Sequence, residues 1–194
     1  MKKTTRRILI VIAVILVFTL SDIKSTKTTP AASIKAYYSD ATILETIWVA
    51  DDYPLCVFVS NDITTSREGP AVCMARFKSY EVFGTTYWKR GVVGLSSMKT
   101  ISSNDRLYYP SYGNFDRAGE IPPINAQELF RIDNDIYFMY GVTQRTNVEL
   151  YRINGIEPTV IYTELDGEAV TFWYVVGDSR LNSSATTEIE YLGE

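Results

Sequence analysis

The string Gly177-Asp178-Ser179 is the part of the sequence that most resembles a catalytic block, because it directly follows an apolar run. A serine placed after a strand can act as a nucleophile only where a neighbouring base removes its proton. The sequence contains no His, and nothing couples a Lys to Ser179. We therefore interpret the string as a turn that ends a strand, and expect no catalytic residue there.

Metal-dependent chemistry finds equally little support. The absence of His, together with only two Cys, removes the usual zinc, copper and non-haem iron sites. Asp51-Asp52 and Asp133-Asn134-Asp135 offer oxygen ligands for calcium, but neither has the spacing of a calcium-binding loop. We expect turns at both places, no metal and no cofactor.

Carboxylate chemistry stays open as an alternative. Hydrolysis of a glycosidic bond needs two carboxyl groups and no His, and the chain has 23 Asp and Glu residues. Nothing in the sequence selects a pair. A small carboxylate-dependent hydrolase acting on cell wall is therefore a second hypothesis of function.

The best candidate for binding is a loop rich in tyrosine. Residues 101–125 contain many Gly, Pro and Asn, and long loops of this kind often carry function. Exposed rings beside amides and carboxylates can hold sugars or peptides. The rings that could do this are Tyr108, Tyr109, Tyr112 and Phe115. The alternative is that they fold back and cover one end of a sheet.

The two cysteines are candidates for a disulfide. If the runs around Cys56 and Cys73 pair through the polar turn between them, a register centred between Thr64 and Thr65 places the two residues opposite each other. Opposed Cα atoms of an antiparallel pair lie about 4.5 to 5.5 Å apart, within disulfide range. Export would permit oxidation. The alternative is two small buried thiols that never pair.

The N-terminal segment predicts export. Four basic residues precede Ile8–Leu20, which carries no charge, and a polar stretch follows. This order is typical of a signal peptide or signal-anchor over residues 1–24 with an N-in, C-out orientation. Both a retained anchor and a cleaved signal fit. Residues 25–36 are predicted to be a flexible stalk, and residues 37–194 a domain outside the cytoplasm, with a possible subdivision near 101–125.

The charge distribution restricts the partners. After Leu20 the chain has 15 basic and 23 acidic residues, a net charge of −8. Such a domain is unsuited to nucleic acid or other polyanions. Tyr87-Trp88-Lys89-Arg90 mixes rings and cations, but we interpret it as a strand whose Lys and Arg snorkel. The expected partner is an unknown envelope protein or glycan, with membrane contact through the N-terminal segment if it is uncleaved.

The elements that would position these residues are strands. β-branched and aromatic runs at 42–50, 55–60, 71–84 and 85–95 predict a meander. In the last third, Asn154-Gly155 and Asp166-Gly167 separate further runs and suit tight hairpin turns. Additional strands at 136–142 and 187–192 are expected to complete the same sheet. The prediction is an all-β fold of mostly antiparallel meanders, sandwich-like, preceded by an N-terminal hydrophobic helix.

Two local signals add detail. Pro158 cannot donate to a ladder and places the start of its strand at an edge or a bulge. Asn125, followed three residues later by Glu128, predicts a short helical turn.

The order of these features resembles a loosely defined group of small exported or membrane-anchored proteins of Bacillus-type Firmicutes. The matching pieces are the basic and hydrophobic N-terminus, TILETIWVADDYPLCVFVSN, FKSYEVFGTTYWKRG, IYFMYGVTQRTNVELYRINGIEP and the closing WYVV and IEYLGE. The group has no established activity, so the resemblance carries over no functional residues. It implies a Gram-positive, extracytoplasmic setting.

Three hypotheses of function follow. The leading one is a non-enzymatic β-domain that binds or senses a component of the cell envelope. The others are the carboxylate-dependent hydrolase and a structural or spacer protein.

Overall fold

The computed structural model describes residues 26–61, 63, 69–98, 100–101, 128–133, 135–182 and 189–193. The predicted hydrophobic helix at 8–20 and the tyrosine-rich loop lie outside these residues. Within them, no helix is both long and apolar enough to cross a membrane. The described chain is mostly antiparallel β-sheet, which confirms the all-β prediction. The sandwich-like packing stays a prediction.

Eleven strands and three short helices are given bounds in the described residues. The strands are β1 Thr26–Lys27, β2 Thr42–Ala50, β3 Tyr53–Ser60, β4 Ala71–Val82, β5 Thr85–Ser97, β6 Glu128–Asp133, β7 Ile136–Thr143, β8 Tyr151–Ile153, β9 Thr159–Leu165, β10 Glu168–Gly177 and β11 Ile189–Tyr191. The α-helix is α1, Pro30–Tyr37, and the two 3₁₀-helices are Val148–Leu150 and Ser179–Asn182.

The chain divides into two compact units. The first comprises the described residues of Met1–Val57 and Met74–Gly94, and the second those of Phe58–Cys73 and Leu95–Glu194. The four strands predicted before residue 95 are all present as β2 to β5. They belong to a five-stranded sheet in the order β1-β5-β4-β3-β2, so β3 lies beside β4 as predicted.

Residues 26–37 are ordered, and the prediction of a flexible stalk there is wrong. β1 pairs with β5, with Thr26 opposite Lys89. The Thr29 side chain accepts a hydrogen bond from the backbone N–H of Ala32 at 3.2 Å, and Pro30 follows at the first helical position. A polar cap followed by Pro is a strong helix start. The helix buries Ile34 completely, and this burial anchors it.

Helix α1 contacts both β1 and β2, the two edge strands of the five-stranded sheet. The last helical residue is Tyr37, and Tyr38 is the capping residue. Both rings contact Arg90 of β5. This placement brings the helix terminus to the strand that carries Trp88 and Arg90.

The second unit contains a four-stranded sheet in the order β6-β7-β10-β9. The predicted turn at Asp166-Gly167 is confirmed, since Leu165 lies opposite Glu168 and both turn residues have positive φ. β9 is an edge strand, and Pro158 directly precedes it, as predicted.

One face of this sheet packs on a core cluster in the second unit. The cluster includes Trp173, which is fully buried, beside Tyr151. Its other members come from the sheet, from both 3₁₀-helices and from β8: Tyr137, Met139, Val148, Ile153, Val175 and Leu181.

Parts of the last third differ from the prediction. Asn154-Gly155 does form a turn, closed by a bridge between Ile153 and Ile156. β8 nevertheless pairs with β11 in a separate two-stranded sheet, and β9 pairs with β10. Pairing of the flanking runs as one hairpin is therefore wrong, and so is the inclusion of β11 in the larger sheet. The predicted helical turn is also wrong at Glu128, which begins β6.

The string at Gly177 ends a strand, as the sequence indicated. Gly177 is the last residue of β10, and the Asp178 carbonyl accepts a hydrogen bond from the N–H of Leu181 at 3.0 Å. Ser179 begins the 3₁₀-helix that follows. A Cβ at Gly177 would lie 2.6 Å from Cδ1 of Ile156, so glycine leaves room for that side chain.

Candidate functional site

The two indoles of the first unit form an aromatic pair with one buried and one exposed member. Trp88 is 7% exposed, whereas Trp48, on the edge strand β2, is 52% exposed. Their ring centroids lie 5.5 Å apart with an interplanar angle of 76°, an edge-to-face arrangement that aromatic pairs favour. The buried ring therefore fixes the orientation of the exposed one.

Arg90 lies two residues beyond Trp88 on β5. Side chains at positions i and i+2 of a strand point to the same face, so Arg90 and Trp88 share one face of the sheet. The Cζ atom of Arg90 lies 4.1 Å from the ring centroid of Tyr37 and 5.1 Å from that of Tyr38. Cation–π attraction to each ring holds the guanidinium in place.

Hydrogen bonds fix the same arginine further. Nη1 of Arg90 donates to the hydroxyl of Tyr38. The backbone N–H of Arg90 donates to Oγ of Ser33 at 3.1 Å, which attaches α1 to β5. The guanidinium is thus a rigid group rather than a freely rotating surface cation.

The guanidinium of Arg90 has no carboxylate partner in the part of the chain that the structure describes. Its Nε is buried and lacks a hydrogen-bond partner among those residues, so a ligand from solvent would meet the Nη side of the group. A fixed cation held against aromatic rings suits an anionic group such as a carboxylate.

We call this set of side chains the aromatic platform. Its members come from α1, β2 and β5 of the first unit: Tyr37, Tyr38, Trp48, Trp88 and Arg90. Tyr37 is 41% exposed, so the platform presents rings to solvent at both the helix and the edge strand. It offers exposed ring faces and a cation, which can hold a ligand through stacking and charge.

The cysteines lie away from solvent. Cys56 and Cys73 are both buried, and no disulfide joins them in the structure. The Cys56 thiol accepts a hydrogen bond from Oγ1 of Thr46 at 3.9 Å, and the Cys73 thiol donates to the carbonyl of Ala71 at 3.4 Å. Burial raises the pKa of the Cys56 thiol to about 11, although the Thr46 contact lowers it. Their oxidation in the exported protein stays a prediction.

The rings that the sequence predicted for ligand binding belong to the tyrosine-rich loop, not to the aromatic platform. Tyr108, Tyr109, Tyr112 and Phe115 lie outside the described residues, so their role stays a prediction. The sequence did draw attention to residues 87–90, and the strand expected there is present as part of β5. Nothing in a linear pattern could show that Trp48 and Tyr37 meet this strand.

Comparison with protein-family models, with curated proteins and with solved structures found no match to this chain.

Proposed function

We propose that this protein is an extracytoplasmic, non-enzymatic binding protein of the cell envelope, and that the aromatic platform is its binding face. The ligand is a saccharide of the cell wall that carries a carboxylate. The observation that supports this most is that the half-exposed indole of Trp48 packs on Trp88, whose strand carries, on the same face, an arginine without a carboxylate partner among the described residues.

The chemistry of the two groups defines the ligand class. The exposed face of Trp48 is a flat apolar surface, and sugar rings present a matching face of C–H groups. Arg90 supplies donors suited to a carboxylate. A neutral sugar would use the ring alone, whereas a carboxylated sugar or a sugar bearing a short acidic peptide would use both.

The setting rests on the sequence. A basic and hydrophobic N-terminal segment predicts export, either as an anchored protein with its C-terminus outside or as a secreted one. Cell-wall polymers are the abundant carboxylated saccharides in such a location. The negative net charge of the exported part fits a local arginine site better than broad attachment to a polyanion.

The test is co-sedimentation of the full chain, purified in detergent, with insoluble purified cell walls. We expect Trp48→Ala and Arg90→Met each to weaken binding by about tenfold, equivalent to roughly 1.4 kcal/mol. Tyr162→Ala is the matched control, because Tyr162 is 54% exposed and lies in the second unit. It should bind as the unchanged chain does.

A second experiment separates the contribution of Arg90 to binding from that of Trp48. Walls whose carboxylates have been converted to methylamides should lose affinity for the unchanged chain but show no further loss with Arg90→Met. Equal binding by the unchanged chain and Trp48→Ala would contradict the proposal, and so would an equally large loss with Tyr162→Ala.

A further inference from the structure

The hairpin formed by β4 and β5 carries a second unusual surface in the first unit. From Lys78 to Val82 on β4, and at Thr85 and Thr86 on β5, every residue is exposed. We call residues 78–89 the hairpin arm. Strand residues exposed on both faces lack the buried side that normally stabilises a hairpin.

The turn of the arm fixes which side chains are neighbours. Phe83 and Gly84 are the only residues between β4 and β5, and both have positive φ. A two-residue turn makes the flanking residues the first pair and sets the register of the rest. This register predicts, on one face and from the tip, the pairs Val82 with Thr85, Tyr80 with Tyr87, and Lys78 with Lys89.

Phe83 at the tip does not serve the stability of the turn. It has φ of 49°, in the left-handed region that bulky side chains disfavour, and its side chain is fully exposed. The other two turns of this kind in the described chain use Asn154-Gly155 and Asp166-Gly167, the usual residues. An exposed aromatic ring in a strained position points to a contact made with something else.

The face of the arm changes character along its length. The tip is apolar, with Val82 and Phe83, and Val82 is 47% exposed. Tyr80 follows with 45% exposure, paired with Tyr87. Lysines come last. Side chains at a bilayer surface follow the same order, with apolar residues deepest, tyrosines at the headgroups and lysines above them.

The charge of this segment supports a lipid partner. The arm contains two basic side chains, Lys78 and Lys89, and one acidic side chain, Glu81, although the chain after Leu20 has a net charge of −8. Anionic lipid attracts clustered Lys and Arg near its surface. The negative net charge of the whole domain therefore does not describe this arm.

We propose that the hairpin arm inserts its tip, Val82 and Phe83, into the interface of an anionic lipid bilayer, with Tyr80 and Tyr87 among the headgroups. The arm thus gives the protein a membrane contact in addition to the one predicted for its N-terminal segment.

The experiment uses the full chain reconstituted in vesicles, with Thr85→Cys labelled by the fluorophore NBD next to the tip. Vesicles contain phosphatidylcholine alone or mixed equally with phosphatidylglycerol. Both native thiols are buried and stay unlabelled under native conditions. We expect blue-shifted emission and slow reduction by dithionite in the phosphatidylglycerol vesicles. Thr159→Cys, labelled at an exposed residue of the second unit, should be reduced fast in both vesicles.

Two variants of the labelled chain test whether Phe83 and Lys78 contribute to insertion. Phe83→Asn should lower the ratio of inserted to free tip by about tenfold while raising the urea midpoint of unfolding, because Asn suits the turn. Lys78→Glu should lower the ratio by about tenfold in the anionic vesicles only.

Reduction at position 85 as fast as at position 159 in both vesicles would overturn the proposal. Protection that appears only in native membranes containing proteins would also overturn it, in favour of a protein partner for the arm. Loss of insertion in Phe83→Asn together with a lower urea midpoint would show a folding defect rather than a lost lipid contact, and would contradict the role given to the Phe83 ring.

Discussion

The indole of Trp48 meets that of Trp88 edge to face, with 5.5 Å between the ring centroids. One ring is in the core of the first unit and the other is half in solvent. The buried ring therefore contributes to stability, whereas the exposed ring presents part of its face to solvent.

Because Trp88 is buried and Trp48 is exposed, replacing each by Ala should lower the free energy of unfolding by a different amount. Trp88→Ala should lower the free energy of unfolding by about 3–5 kcal/mol, because it leaves a large cavity. Trp48→Ala should cost roughly 1 kcal/mol, mostly the lost ring pair. Urea unfolding of the full chain, followed by circular dichroism, measures both. Equal losses would show that Trp48 belongs to the core and would remove the basis of the platform.

The contact between Arg90 and Tyr38 should be measurable as a coupling. Arg90→Lys keeps the charge but loses the planar stack and the geometry of the hydrogen bond, so we expect a loss of about 1–2 kcal/mol. Tyr38→Phe removes the hydrogen-bond acceptor but keeps the ring. A double-mutant cycle should give a coupling energy of about 0.5–1.5 kcal/mol. Strictly additive effects would mean that the two side chains do not act together.

Cys56 should make stability depend on pH in the alkaline range. Its pKa is raised from 9.0 to about 11 by burial, so the folded state holds the proton more tightly than the unfolded state. This contribution is fully present below pH 9 and is lost as the pH rises to about 11. A shift of this size corresponds to about 2–3 kcal/mol at most.

The measurement compares the unchanged chain with Cys56→Ala. Because other groups titrate in the same range, the difference between the two unfolding free energies is followed from pH 8 to pH 11. We expect the variant to lack part of the alkaline decline. In Thr46→Val the pKa of Cys56 should be higher still, because the thiol loses the hydrogen bond that lowers it. Parallel profiles of the unchanged chain and Cys56→Ala would contradict the assignment.

Gly177→Ala should destabilise the second unit through crowding. The added Cβ would lie 2.6 Å from Cδ1 of Ile156 and 3.0 Å from Cδ1 of Leu181. Overpacking of this kind costs about 1–3 kcal/mol. In the background of Ile156→Val, which lacks the Cδ1 atom, the cost of Gly177→Ala should be smaller.

Gly167→Ala is the comparison for this effect. A Cβ at Gly167 meets nothing within 4 Å, but its φ of 81° is unfavourable for alanine. Its cost of about 1 kcal/mol should come from the backbone and be unchanged by Ile156→Val. Rescue of both glycine variants by Ile156→Val would show that crowding is not the specific cause at Gly177.

Local signals in the sequence predicted the strands well. Alternating and β-branched runs such as Thr42–Ala50 form strands because their side chains fit a pleated, half-buried surface. Asp166-Gly167 forms its hairpin because both residues accept positive φ. Strand propensity and turn formation depend on a few adjacent residues, so they can be predicted from the sequence alone.

The flexible stalk was predicted wrongly from composition. The Ser and Thr content of residues 25–36 and their lack of apolar periodicity favoured a stalk. The information that mattered was the Thr29-Pro30 helix start and a single buried side chain, Ile34. Helix formation in so short a segment depends on packing against the sheet, and packing is not encoded in local propensity.

The partner of each strand was decided only by the tertiary structure. β8 precedes a turn that suits a hairpin with β9, yet it pairs with β11, whereas β9 pairs with β10 through a second tight turn. Such choices between competing partners depend on contacts far apart in the sequence.

What the sequence by itself determined is the class of the fold, the places of most strands and turns, and the absence of His-based chemistry. What only the tertiary structure decided is the aromatic platform. Tyr37 and Trp48 are far apart in the chain, yet both contact side chains of β5, since Tyr37 lies against Arg90 and Trp48 against Trp88. Stacking and cation–π contacts act over a few ångströms, so they depend on how the strands and the helix are placed in space.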